Sequence, residues 1–147
     1  MRLVVQRVKK AKVTKVEGKR VVGEIAHGLF VLVGFKKGDS EKDAEGLAQK
    51  LSKLRVMSDK EDKMNLSVGD SKGSMLIVSQ FTLHADTKGG NRPSFINAEV
   101  PEKAEKLYNF FVEKLKSMEI QVETGSFGDY MEIETVLDGP VTIIYSD

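Results

Sequence analysis

The sequence predicts one α+β domain spanning residues 1–147, with largely antiparallel or mixed β-sheets and two main helices. Three observations predict it. Most apolar residues fall in short runs that either alternate with polar ones or continue unbroken for the length of a strand. Only two segments carry apolar residues at helical spacing. The connections are of hairpin length, and no linker, internal repeat or low-complexity stretch divides the chain. A domain of this size buries about 70% of its unfolded surface, enough for a core without covalent staples.

The elements follow in order. Arg2 to Val8 alternates, and Ala11 to Glu17 alternates again. Gly18-Lys19 makes a turn, and Arg20 to Ile25 completes a meander. After a turn at His27-Gly28, the apolar run Leu29 to Gly34 predicts a central strand. A helix follows, with Asp39 or Ser40 as N-cap and Ala44, Leu47, Ala48, Leu51 and Leu54 on its inner face. Gly46 weakens it by about 1 kcal/mol relative to Ala. Ser58 to Gly73 is polar and reads as a loop with room for a short strand. Ser74 to Phe81 is a second apolar strand, and Asp86 to Arg92 is a charged, Gly-rich loop. Pro101 opens the second helix, since Pro is favoured at the first helical position. Ala104, Leu107, Tyr108, Phe111, Leu115 and Met118 form its apolar face. Ile120 to Thr124, Met131 to Leu137 and Val141 to Tyr145 read as strands, with Asp138-Gly139-Pro140 interrupting the last two.

Composition narrows the chemistry. The chain has no cysteine. Disulfides, thiolate metal sites and cysteine nucleophiles are therefore excluded, and a reducing cytosol fits. No apolar stretch approaches the roughly 20 residues of a membrane span, and no signal-peptide pattern is present. A soluble, cytoplasmic protein is expected. Charged residues make up 31% of the chain, yet the net charge is only +1 and the signs are interspersed. That is not the footprint of a protein that coats long nucleic acid. A protein gripping only the tip of an RNA needs no large basic excess.

Conventional catalytic sets are missing. The two histidines, His27 and His84, fall short of the three or four ligands of a usual metal site. No metal and no cofactor is expected. A Ser79–His84–Asp86 triad is disfavoured, because residues five apart on one strand face opposite sides. There is no Gly-x-Ser-x-Gly elbow, no Walker loop and no dinucleotide fingerprint.

Two segments stand out. Ser79-Gln80-Phe81-Thr82-Leu83 brings small polar groups and free backbone N–H groups to a strand end. It is either a plain strand end or a cluster of donors for an oxyanion. Asp138-Gly139-Pro140-Val141-Thr142 is either an ordinary turn or the site of a cis X-Pro bond, a form that about 5–6% of such bonds take.

Taken together, these segments resemble the signatures of the D-aminoacyl-tRNA deacylase family, a Ser-Gln-Phe-Thr motif and a C-terminal Gly-Pro-Val-Thr motif. They stand here as Ser79-Gln80-Phe81-Thr82 and Gly139-Pro140-Val141-Thr142. The resemblance extends to Arg7-Val8 with Ala11-Val13, to Gly28 through Gly34, and to Asp86-Thr87 through Arg92-Pro93-Ser94-Phe95. It covers nearly the whole chain. One departure is Leu137-Asp138, where the family often has Asn-Asp.

The resemblance implies a D-aminoacyl-tRNA deacylase-like fold and a homodimer with its active site at the subunit interface. It also implies hydrolysis of the ester between a D-amino acid and tRNA, a form of proofreading. A cis Gly139-Pro140 peptide would point its carbonyls into the partner's pocket and crowd an L side chain, enforcing chirality by rejection. Glycine has no side chain to reject, so glycyl-tRNA is an expected substrate. Ser79, Gln80, Phe81 and Thr82 would form the catalytic segment, with the backbone N–H groups of Gln80, Phe81 and Thr82 holding the oxyanion. The neighbouring ribose hydroxyl would help to place the water. The alternative is Thr82 as nucleophile, which needs an adjacent base. Arg7 would support the Gly-Pro backbone. Lys88 and Arg92 are candidate tRNA contacts, with Lys9, Lys10, Lys12 and Lys15 behind them.

Overall fold

The computed structural model describes residues 1–146. Its centre is a mixed sheet in which the alternating and unbroken apolar runs pair as the patterns require. The first strand, β1 (Arg2–Lys15), pairs antiparallel with β2 (Arg20–Ile25) through its second half and with β3 (Gly28–Gly34) through its first. β3 pairs parallel with β6 (Ser74–Ser79), which pairs parallel with β7 (Gln121–Thr124). The last strand, β8 (Met131–Ser146), runs antiparallel along the whole of β1. β4 (Met57–Ser58) and β5 (Met64–Leu66) form a small hairpin that begins just before the polar stretch Ser58 to Gly73, expected as a loop with room for a short strand. The α+β class with mixed sheets is as the sequence predicts.

Three boundaries differ from expectation. β1 is one strand, not two. Its buried residues run Leu3, Val5, then Val8, then Ala11, Val13, so the period of two slips on either side of Val8. Register irregularities against β8 lie at the same two places. Bulges re-aim side chains in this way, and in sequence the slip reads as a break. β8 is likewise continuous. Between the pairs Gln6↔Thr142 and Val8↔Leu137, only Arg7 stands on β1 while residues 138–141 bow out on β8. Proline has no N–H to give to a ladder, which suits Pro140 to such a bulge. Third, β6 stops at Ser79. The chain then turns through a short 3₁₀ helix, Phe81–His84.

The helices cover one face. α1 (Glu41–Ser52) starts with a capping box between Ser40 and Asp43. Leu54 falls beyond its end. Asp39 does not cap; it is buried and accepts the Met1 ammonium at 2.8 Å and the Lys36 N–H at 2.7 Å. α2 (Pro101–Lys116) begins at its proline and buries Leu107, Tyr108, Phe111, Val112 and Leu115. These pack with Leu3, Val5, Val31, Val33, Met75 and Ile77. The alternate residues Phe30, Leu76 and Val78 face a second apolar cluster with Val8, Ala11, Val13 and Ile25, where the curled half of β1 and β2 fold over the sheet. Hence β3 and β6 are buried on both faces, which explains their unbroken apolar runs. Each fully buried Leu, Ile or Phe contributes about 1.5–3 kcal/mol. No described helix is long and apolar enough to cross a membrane.

Tyr108 supplies a test of this core. Its hydroxyl donates to the Ile77 carbonyl at 2.8 Å, and burial pushes the phenol well above its ordinary 10.0. The folded state therefore keeps this proton longer than the unfolded one. The associated stability is complete below pH 10.0 and is lost as pH rises beyond it. Tyr108→Phe is expected to cost about 1 kcal/mol at neutral pH and to lessen the loss of stability above about pH 10. Tyr145, also raised by partial burial, keeps part of that loss. Denaturant melts across this range check it; an unchanged pH slope would place the titrating group elsewhere.

Candidate active site

The carboxyl ends of the parallel strands β3, β6 and β7 converge, the place where sheets of this kind bind ligands. A cavity of about 900 Å³ opens there. Gly34, Ser79, Gln80, Phe81, Phe95, Val100, Phe127, Tyr130 and Ile133 are among the residues that line it. Its wall is mainly apolar.

The turn that follows β6 sits on Gly34. A Cβ at that position would lie 2.7 Å from the Gln80 carbonyl oxygen and 3.1 Å from both the His84 ring and the Leu83 Cβ. Only glycine lets the turn come so close. The Gln80 N–H donates to the Val33 carbonyl at 2.7 Å, extending the ladder by one step. It is therefore not available to an oxyanion, a correction to the expected set of three donors. The N–H groups of Phe81 and Thr82 open the 3₁₀ helix and have no intramolecular acceptor among the described residues. Of the expected set, these two N–H groups are left open. Gln80 Nε2 donates to Thr82 Oγ1. The Phe81 ring stands exposed and meets Phe95 edge-on, with centroids 5.1 Å apart.

The Ser79–His84–Asp86 triad fails for a different reason than the one expected. Strand alternation ends at Ser79, so opposite parity does not separate the pair. The structure instead buries His84 in the turn, where its Nε2 has no hydrogen-bond partner. Thr82 Oγ1 has an amide donor for a partner, and no carboxylate or imidazole contacts it among the described residues. Within the same residues no group of three or more His, Asp or Glu is placed to hold a metal ion.

The second motif lies elsewhere. Gly139-Pro140 is a cis peptide in the β8 bulge, and neither residue lines the cavity. Arg7, opposite the bulge, donates from Nε to the Asp138 carbonyl at 3.2 Å and from Nη1 to the Val56 carbonyl at 2.8 Å. It also pairs with the Asp138 carboxylate at 3.2 Å. A guanidinium fork suits several acceptors at once. Leu137, which replaces the family's usual Asn, is exposed and offers no side-chain hydrogen bond here.

The candidate cations separate into two groups. Lys88 and Arg92 are exposed near the tip of a loop closed by paired backbone bonds between Asp86 and Ser94. Lys9 and Lys10 are also exposed, whereas Lys12 pairs with Glu134 at 2.6 Å and Lys15 with Asp129 at 2.9 Å. Two carboxylates flank the cavity. Glu99 is held below the usual range by Lys103 and the Val100 N–H, and Asp129 by the Ser126 hydroxyl and Lys15. Sequence reasoning gave no site role to Gly34 or Phe95, named there only within the family resemblance, and did not single out Phe127 and Tyr130. A glycine closing an apolar strand was the available signal for Gly34; Phe127 and Tyr130 carry none.

Comparison with known proteins follows from this geometry. Residues 4–146 match the family described as D-Tyr-tRNA(Tyr) deacylase. A D-aminoacyl-tRNA deacylase of Thermosipho melanesiensis is 53% identical, over 98% of this chain and 95% of its own. Those of Fusobacterium nucleatum and Thermotoga petrophila are 52% and 51% identical, over 98% of this chain and 94% and 95% of theirs. Among solved structures, a c-Myc DNA unwinding element binding protein superposes with a TM-score of 0.92 at 39% identity, covering 100% of this chain and 99% of its own. A chain described as "a probable eukaryotic D-amino acid tRNA deacylase" shares the fold, with a TM-score of 0.84 at 16% identity, over 98% of this chain and 97% of its own.

Proposed function

Because the chain belongs to the D-aminoacyl-tRNA deacylase family, we propose that it cleaves the ester of D-aminoacyl-tRNA, leaves the L-ester intact, and acts in the cytoplasm. As a member of that family it is a hydrolase of aminoacyl-tRNA. The observation that carries the finer reading is the pair of N–H groups, Phe81 and Thr82, unpartnered among the described residues, in a turn whose Gln80 and Phe81 line an apolar cavity.

In this reading the ester carbonyl oxygen rests on those two donors. Water adds to the carbonyl carbon, and the negative charge on the oxygen grows against groups already in place, each worth about 3–4 kcal/mol in such sites. The bond to the ribose oxygen then breaks. The amino acid leaves as its acid, and the tRNA regains a hydroxyl. The neighbouring ribose hydroxyl orients the water, so no side-chain base is needed. Thr82 as nucleophile is disfavoured, because an amide donor cannot take up its proton. Thr82→Ala is expected to lower kcat by less than about tenfold, since a positioned general base is itself worth about 10²–10⁴. Near-complete loss with normal folding would restore the nucleophile.

Chirality is assigned to Gly139-Pro140 of a second copy. In one chain that segment and the Phe81–Thr82 donors do not share a cavity, and Phe81, Phe95, Ile96, Val100, Tyr130 and Ile133 leave an exposed apolar surface around the pocket. Exposed apolar surface of this kind marks an interaction site. A homodimer that covers it would bring the partner's segment to the pocket, with Arg7 holding the backbone before Gly139. Lys88 and Arg92 are assigned to tRNA phosphates. The deciding assay compares D-tyrosyl-, L-tyrosyl- and glycyl-tRNA with the purified protein. Release from the D and glycyl esters alone supports the whole reading. Release from all three removes the gate, and release from none removes the activity.

A further inference from the structure

We infer that Arg2 is a positioning residue for the reaction, holding the Phe81–His84 turn and with it the two open N–H groups of Phe81 and Thr82 beside the cavity that Phe81 lines. The inference rests on the reading of that turn as the oxyanion site.

Arg2 is the first residue of β1 and pairs with Gly34 on one side and Ser146 on the other. The preceding Met1 ammonium is itself buried against Asp39 at 2.8 Å. The backbone of Arg2 is thus fixed from three directions. Gly34, its neighbour on β3, is the residue on which the turn rests. From there Arg2 Nη1 donates to the Leu83 carbonyl at 2.5 Å. Among the described residues it is the only side chain from outside the turn that hydrogen-bonds the backbone of residues 80–84.

The direction of that bond matters. In a helical turn the carbonyls point to one end and the N–H groups to the other. A cation on the Leu83 carbonyl complements the carbonyl end and fixes the opposite end, where the Phe81 and Thr82 N–H groups open. Among the described residues the guanidinium makes no other hydrogen bond. Arg2 Nε is buried without an acceptor, and no carboxylate pairs with Arg2 among the described residues. An orphaned buried donor is costly and rare. Among the described residues no carboxylate offsets this partly buried charge, which stands behind a turn read as stabilising developing negative charge, and a partly buried charge acts more strongly than one in water.

The test is steady-state cleavage of D-tyrosyl-tRNA by wild type, Arg2→Lys and Arg2→Met, with amide ¹H–¹⁵N shifts of Phe81 and Thr82 as a second readout. Arg2→Met is expected to lower kcat about 10- to 100-fold, the scale of a disturbed oxyanion donor. KM should stay within about threefold, because the contact is not made to RNA. Arg2→Lys, which keeps the charge, should recover part of the loss, and the two amide shifts should move in both variants. Unchanged kcat, or a raised KM with unchanged kcat as for a phosphate contact, would overturn the proposal. If Arg2→Met does not fold, Arg2→Lys decides: unmoved shifts with wild-type kcat overturn it. A wild-type protein that leaves the D-ester intact would sink the proposed function instead, and unmoved amide shifts would then separately sink the positioning role.

Discussion

Gly34→Ala is expected to lower the cleavage of D-tyrosyl-tRNA by at least about 100-fold, the loss seen when one oxyanion donor is removed. The added Cβ would lie 2.7 Å from the Gln80 carbonyl oxygen, which is backbone and cannot rotate away. Nor can the strand end retreat easily, since the Gln80 N–H is bonded to Val33 at 2.7 Å and the Gln80 carbonyl accepts from Leu83 at 3.3 Å. The strain passes to the turn, and the Phe81 and Thr82 N–H groups move with it. Overpacking of this kind costs about 1–3 kcal/mol, or roughly 3 °C in Tm per kcal/mol at this chain length. Gly46 is the control. It lies on α1 with nothing within 4 Å of an added Cβ, so Gly46→Ala should raise stability by up to about 1 kcal/mol and leave kcat alone. The measurement is kcat beside a thermal melt for both variants. Wild-type kcat in a destabilised Gly34→Ala would separate the turn from the chemistry and remove the oxyanion assignment.

The second large effect concerns selectivity. Gly139 has a φ of +133°, a region that residues with a side chain rarely adopt, and an added Cβ would meet the Val141 backbone nitrogen at 2.8 Å. Gly139→Ala must reshape the bulge at a cost of about 1–3 kcal/mol. Arg7 still grips the Asp138 carbonyl, so the change falls on the residues beyond it. If this segment rejects L side chains, the ratio of D to L cleavage should fall at least about tenfold, equivalent to about 1.4 kcal/mol of lost discrimination. Initial rates on matched D- and L-tyrosyl-tRNA measure it. A preserved ratio would take the gate away from this segment.

What the sequence disclosed follows a physical line. Helices and strands are periodic, so α2 could be read from Pro101 and its apolar face, and β3 from its unbroken run. The continuity of β1 and β8 could not. A bulge shifts the period, and Lys9-Lys10 and Asp138-Gly139-Pro140 both mimic ends of strands. The turn at Phe81–His84 was hidden in the other direction, because Phe81 and Leu83 are as apolar as a strand requires. Of the candidate site residues, the Ser79–Thr82 and Gly139–Pro140 segments were visible through resemblance to a family. The commitment of the Gln80 N–H was not. It depends on the parallel pairing of β6 with a strand far away in sequence, and local pattern carries no information on which acceptor a donor will meet.

The burial of β3 and β6 on both faces bears on how the molecule breathes. Amides of Val31, Val33 and Ile77 lie in the interior of paired strands, beneath helices on one side and the curled strands on the other. Such amides exchange with solvent only when the whole domain opens, whereas exposed loops exchange through small local excursions. The Phe81–Thr82 donors stand one step beyond that slow-exchanging block, and the rim at Phe95, Ile96 and Tyr130 stands outside it. The frame that would aim the donors is thus expected to open last, and the exposed rim to open locally before it.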